Sequence, residues 1–336
     1  MTSEDAPLLS VIIPAHNAAA EIGEQLSALR AQEGGHRFEV LVCDNNSTDG
    51  TADAARRHAG DLDLRIIDAS GPGSASFARN CGAEAAQGDL LLFCDADDLV
   101  GPRWIAELSE PLLHDESVLV AGALHHEHFN DSSVLAAYGI GADPEPVYGE
   151  HEVATQPYAG YLPTAPGGNF GVHRALYLSL GGMDHSYPGG AEETDFAWRA
   201  QESGACVVTC PGAVVHYRLK DAPGPLFRQQ RIQNYARILL WMRYRHVGMT
   251  GPSVRYSVTS IIRQLPRWVL RRGRGELLLS ARLLGGHVGA LQGVVDFRIR
   301  GRVPTSRVIG TCTRPVGKGL SARLRILRDV LRRAGS

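Results

Sequence analysis

The sequence predicts an α/β protein built on a parallel, doubly wound sheet, and three observations carry that reading. From Ser10 to Cys94, short apolar runs alternate with amphipathic stretches of helical period, the pattern of strand and helix in strict succession. The runs themselves lack period-2 alternation, as strands buried on both faces do. Two of them end in acids, Asp44 and the trio Asp95, Asp97 and Asp98. Ligands of such sheets bind outside the carboxyl ends of the strands, so the two acidic ends are expected to share one site.

Ser10 to Pro14 (SVIIP) is the first strand, followed by a helix over 18–31 with Ile22, Leu26 and Leu29 on one face. Phe38 to Cys43 is the second. The turn formers Asn45 to Gly50 follow, with Thr48 or Asp49 able to cap a helix running to about His58. Leu64 to Ile67, a helix over 74–86 and Leu90 to Cys94 continue the alternation. Three carboxylates after the last run repel one another unless a cation sits among them, so something positive is expected there. Pro102 opens a helix with Trp104, Leu108 and Leu112, and Val118 to Ala121 is a further strand. From His125 to Pro166 the pattern decays into a polar, irregular segment of the kind that is functional or mobile. A helix near Arg174 to Leu180 closes on Gly181 and Gly182. A second spans Glu192 to Arg199, anchored on one side by Phe196 and Trp198 and carrying its acids in the first turn, where the dipole tolerates them. Val207 to Val208 and Val214 to Tyr217 end the alternating part. Beyond lie a long helix over 226–245, more basic amphipathic helix over 263–284 interrupted near Gly273 and Gly275, and a last one over 322–333.

Charge is uneven. Lys and Arg number 34 against 36 Asp and Glu, yet residues 220–336 hold 24 of the former and 4 of the latter. An acidic body thus precedes a basic tail. Six cysteines without C-x-x-C spacing read as reduced, intracellular thiols. The N-terminus is acidic where a secretory signal is basic, and no run reaches the roughly 18 apolar residues of a spanning helix. The expected location is cytoplasmic, with the inner face of the membrane open to the tail. Pro14 to Asn17 fill the turn where a dinucleotide fold has G-x-G-x-x-G, which argues against nicotinamide or flavin.

Taken together, SVIIPAHN, LVCDNNSTDGT, SFARNCG, FCDADD, GGNFGVHRALYLSLGGMD, EETDFAWR and VVHY, in that order, resemble the family 2 glycosyltransferases. The resemblance covers about residues 8 to 219 and implies a GT-A fold, a nucleotide-sugar-binding α/β domain with a Rossmann-like mixed sheet flanked by helices, over 1–219. Residues 220–336 form a basic, mainly α-helical C-terminal region. The family moves a sugar from a nucleotide-diphosphate donor to a hydroxyl acceptor with inversion. Its D-x-D acids hold a divalent metal, Mn2+ or Mg2+, against the diphosphate, a task suited to hard oxygen ligands. On that resemblance Asp97 is a metal ligand, Asp95 contacts the ribose or the metal's surroundings, and His216 completes the metal site. Asp44 lies on the nucleobase side with Pro14, His16, Arg79 and Asn80, and Gly168 and Asn169 join the donor site. Asp44-Asn45-Asn46-Ser47 departs from the family's D-D-G-S, which leaves uridine, thymidine and guanosine donors open. The catalytic base matches Glu193, with Asp195 the neighbouring candidate; a helix-start acid serving only the dipole would look the same in sequence. His125, His126 and His128 read as loop residues. Gln264 to Trp268 spells the Q-x-x-R-W of processive synthases but stands too far from Glu193, whereas Arg228 and Arg231 are placed to screen a leaving diphosphate; one or few transfers are expected rather than polymerisation. A non-catalytic nucleotide-binding scaffold of the same fold is the alternative. The tail's arginines sit among Trp268, Leu270 and Leu277 to Leu279, which favours an anionic membrane surface over nucleic acid, though packing on the acidic body fits the charge equally.

Overall fold

The computed structural model describes residues 9–270 and 273–310. The helix expected over 322–333 lies outside them. The alternation is present: β1 (Leu9–Ala15), α1 (Ile22–Arg30), β2 (Phe38–Asp44), α2 (Thr51–Arg56), β3 (Leu64–Asp68), α3 (Ala75–Ala85) and β4 (Leu90–Cys94). The short β5 (Leu99–Val100), α4 (Trp104–His114) and β6 (Val118–His125) follow. Inside the stretch read as irregular, Asp131 caps a helix, α5 (Ser132–Tyr138), by accepting the Ser133 and Val134 N–H groups. A two-residue strand, β7 (Glu152–Val153), lies there too. Next come β8 (Asn169–His173), α6 (Arg174–Ser179), α7 (Glu192–Ser203) and β9 (Cys206–His216), then three long helices, α8 (Pro223–Tyr244), α9 (Val254–Leu270) and α10 (Arg274–Gly293).

The nine strands of the described residues form one sheet in the order β3-β2-β1-β4-β8-β6-β9-β5, with β7 on β9. β1 to β4 are parallel, as their unbroken apolar runs require, but β8 enters antiparallel between β4 and β6. The sheet is therefore mixed rather than parallel throughout. Its consequence is positional: the carboxyl ends of β1, β2, β4, β6 and β9 and the start of β8 share one edge.

Apolar layers cover both faces. Ile22, Leu26, Leu29, Trp104 and Leu108 pack on one. On the other, Phe93 stacks on Phe170 at 4.3 Å, with Tyr177 and Phe196 against them. Burying each such side chain stabilises by about 1.5–3 kcal/mol. Phe196 and Trp198, expected on one side of α7, occupy different clusters, since two residues turn a helix by about 200°; Trp198 instead packs edge-on against Tyr161 and Tyr244. α7 is buried all round.

The basic helices are joined to this body. Arg243 of α8 pairs with the fully buried Asp184 at 2.8 Å, and Asp184 also accepts from Ser306 and the Arg307 N–H. α10 crosses α8 through glycines: a β-carbon at Gly285 would lie 2.5 Å from Phe227 O, and one at Gly289 2.0 Å from Arg231 O. Only hydrogen at these positions permits the backbones to meet. The segment Arg274–Ile299 is long and apolar enough to cross a membrane by length and composition, where the sequence reading found no such run, but half of its apolar window is buried within the fold. The five described cysteines are all free.

Candidate functional site

The shared strand edge carries a cavity of about 410 Å³ lined by Pro14, Ala15, His16, Asn45 and Asn46 and by Gly73, Ser74, Ala75 and Ala78 at the start of α3. Asn45, which the sequence reading passed over, builds its wall. Its amide donates to Ala69 O and Pro72 O and accepts from the Ser74 N–H. His16 Nδ1 lies 2.7 Å from Asn45 O. Asp44, half-buried at the end of β2, accepts the Ser47 N–H.

Beside the cavity stands the acid trio, and each member has a different fate. Asp95 pairs with Arg79 at 2.6 Å, and Arg79 is almost fully buried. Asp97 is 41 % exposed and faces Lys220 Nζ at 3.3 Å. Asp98 is buried; its Oδ1 accepts the Arg218 N–H, while Oδ2 has no partner among the described residues. Burial, then the charge of Asp95, raises its carboxyl to about 8. Arg218 also donates to Asp97 O and stacks on Phe129 at 3.7 Å. The positive charge expected among these acids is thus partly supplied by the chain itself.

β5 runs antiparallel to β9 and sets Leu99 opposite His216, which brings the trio to the end of β9. His216 Nδ1 is buried without a partner, and burial, with His128 and His125 beside it, lowers its pKa. Its ring centre lies 4.7 Å from that of His128 and 6.1 Å from that of His125. His125 is not a loop residue: it ends β6, in register with His216. The irregular composition after it concealed that pairing.

Across the Gly167-Gly168 link lies the start of α7. A β-carbon at Gly168 would sit 2.4 Å from Asp95 Oδ2, and one at Gly167 3.3 Å from Glu193 Cβ, so the link threads between the two acidic groups. Ala191 enters the helix with φ of 71°, in the left-handed region. Glu192 is buried and accepts the Gly190 N–H. Glu193 is half-buried; burial first, then Glu192, raise its pKa to about 7, opposed by Arg79.

Three residues expected to contact donor or acceptor are instead buried braces. Asn80 donates to Met183 O and accepts from Tyr177 and the Met183 N–H. Asn169 accepts from Trp104 Nε1 and donates to Ala123 O and Ala213 O. Asp195 accepts from Tyr187 and Tyr244 and pairs with Arg199 at 2.8 Å. The polar atoms of Asn80 and Asn169 are consumed by groups remote in sequence, which no local motif reveals, and those of Asp195 by Arg199 one turn on and by Tyr187 and Tyr244.

The donor set suits a hard divalent ion in part. Asp97, the orphaned Asp98 Oδ2 and the orphaned His216 Nδ1 are oxygen and imidazole ligands of the right kind. Among the described residues no three acids, histidines or cysteines converge into a complete cage. An ion here would complete its shell with ligand oxygens and water, as magnesium-type sites do.

A cavity, an acid trio and a second acidic group across a glycine link thus lie together at the carboxyl edge of a mixed sheet, where α/β proteins bind ligands. The family model "Glycosyl transferase family 2" matches residues 10–177. The chain belongs to that family and has the GT-A fold. Validoxylamine A glucosyltransferase of Streptomyces hygroscopicus subsp. jinggangensis is 39 % identical over 101 residues, 30 % of this chain and 24 % of that protein. Glycosyltransferase AglE of Haloferax volcanii is 32 % identical over 134 residues, 39 % of this chain and 44 % of its own. The chain thus spans less than half the length of these relatives. The mannosyltransferase PcManGT of Pyrobaculum calidifontis, solved with GDP-Man and Mn2+, superposes with a TM-score of 0.53 at 21 % identity, over 90 % of this chain and 77 % of that one. Staphylococcus aureus TarS does so at 0.51 and 16 % identity, over 84 % and 55 %.

Proposed function

We propose that this chain transfers a single sugar, with inversion, from a nucleoside-diphosphate donor to a hydroxyl acceptor, assisted by Mn2+ or Mg2+. The observation that carries the reading is the pairing of the acid trio with Glu193 across Gly167-Gly168, beside the cavity at the ends of β1 and β2. The base and ribose occupy that cavity, near Asp44 and His16. Asp97 and His216 would hold the ion, with water and donor oxygens completing its shell, and when bound it would neutralise the diphosphate. Lys220 and Arg218 add positive charge on the same side.

Glu193 takes the acceptor's hydroxyl proton while that oxygen bonds to the anomeric carbon, and the bond from that carbon to the diphosphate oxygen breaks with its electron pair leaving on the diphosphate. A raised carboxyl pKa makes Glu193 a better proton acceptor near neutral pH than an ordinary glutamate. Asp195 is unsuited to that step because Arg199 and two tyrosines already hold it. A panel of nucleotide-sugars screened for manganese-dependent hydrolysis and transfer tests the assignment. The expected result is turnover of one donor class that vanishes in Asp97→Ala. Nucleotide binding unaffected by metal and by Asp97→Ala would leave the scaffold alternative standing.

A further inference from the structure

Among the described side chains of α9 the buried ones are polar and apolar ones stand exposed. Its inward side carries polar Ser257 and Gln264, both buried, and Gln264 Oε1 has no partner. Outward, at four-residue spacing, stand Val254, Val258, Ile262, Pro266 and Leu270, with Ile262 62 % and Leu270 76 % exposed. Tyr256 is 62 % exposed beside them. Exposed apolar side chains in sequence along one helix face mark a surface that an apolar phase covers.

Charge identifies that phase. Residues 253–275 contain six arginines and no acid. Between α8, α9 and α10 a cavity of about 320 Å³ opens beside Tyr256, lined by Arg237, Arg282, Trp241 and His287 and by no carboxylate. Among the described residues neither of these two arginines has an acidic partner; Arg237 lies over the Tyr158 ring and Arg282 donates to Ala137 O. Residues 311–336 carry seven basic side chains and one acid, a charge of the same sign as that of residues 253–275.

We infer that α9 lies in the plane of an anionic bilayer, its Val258, Ile262 and Leu270 side chains seated among the lipid chains and its arginines at the phosphate level. Arginine stems reach that level while their heads stay hydrated, so Arg255 and Arg263 sit on the apolar side without penalty. The inference deepens the proposed function by naming where an acceptor would be met, and it stands or falls apart from the donor chemistry.

Flotation of the full chain tests it, with vesicles of phosphatidylcholine alone and of roughly three parts phosphatidylcholine to one part phosphatidylglycerol. Wild type should float with the anionic vesicles and be released by high salt. Ile262→Glu should cut the bound fraction about tenfold, and Arg255→Glu with Arg263→Glu should remove the preference for anionic lipid. Leu113→Ser, on exposed α4 surface, should float as wild type. All four should bind nucleoside diphosphate alike in calorimetry, which separates this inference from the donor reading and shows that each variant is folded. Absence of flotation with either vesicle overturns the inference, as does equal flotation of Ile262→Glu. A wild-type dimer in light scattering that Ile262→Glu dissociates, with neither floating, overturns it in favour of a contact between copies.

Discussion

Two acidic groups face each other across Gly167-Gly168, and within each one carboxyl is compensated and another is held by burial, Asp98 raised to about 8 in the first and Glu193 to about 7 in the second. In the trio after β4, Asp95 has Arg79, Asp97 has Lys220 and Asp98 has the Arg218 N–H. At the start of α7, only Asp195 has a full cationic partner, Arg199. At Glu193 burial and the neighbouring Glu192 outweigh the charge of Arg79, and it binds its proton more tightly for that reason. Each group thus sets a salt-bridged carboxylate beside one that burial makes hold its proton more tightly.

Removing the base is the sharpest way to break the comparison. Glu193→Gln should lower transfer by about 10²- to 10⁴-fold while nucleoside diphosphate binding stays within about twofold, as rate assays and calorimetry would register. Equal losses of binding and transfer would mean that the residue serves the donor site instead. Arg199→Met attacks the compensated member of the same helix. It leaves the Asp195 carboxylate buried without its guanidinium, held by the Tyr187 and Tyr244 hydroxyls, takes the donor from Leu180 O and Gly182 O, and should cost about 3–5 kcal/mol in urea unfolding.

The pH profile sharpens the contrast further. Glu193 acts ionised, so below its pKa of about 7 the rate should fall about tenfold per pH unit, and above it the rate should level off. Glu192→Gln removes the neighbouring negative charge, lowers the Glu193 pKa and so should move the midpoint to lower pH. A midpoint that stays in place would show that burial alone sets it. The smallest effect belongs to Lys220→Ala. Its pair with Asp97 is two-fifths exposed, so stability should change by about 1 kcal/mol or less. Nucleoside diphosphate binding should weaken at low salt and less so at high salt.

The legible parts of this chain are those in which a residue's neighbours in sequence are also its neighbours in space. Leu90 to Cys94 announced a strand buried on both faces because every side chain in it is apolar, and the acids after it announced an edge. The antiparallel entry of β8 was not legible from the residues, since NFGVH reads alike in either direction. Nor were the braces. Asn80 sits in a motif that suggests ligand contact, but its partners, Met183 and Tyr177, are about a hundred residues away. Asp195 differs from Glu193 by two positions and by everything around it. His125 followed from β6, whose pairing with β9 across a register shift at Gly122 lay beyond the local pattern.

The glycine crossing of α8 and α10 bears on where the chemistry happens. Side chains that mesh can slide by a rotamer, but backbones in contact at Gly285 and Gly289 leave no such slack. α9 packs on α10, and α8 is held to the body through Asp184 and Trp198. For a chain resting on α9, the crossing works as a strut of fixed length: it sets the height of Glu193 above the lipid surface, and with it the length of acceptor stem that can present a hydroxyl to the sugar.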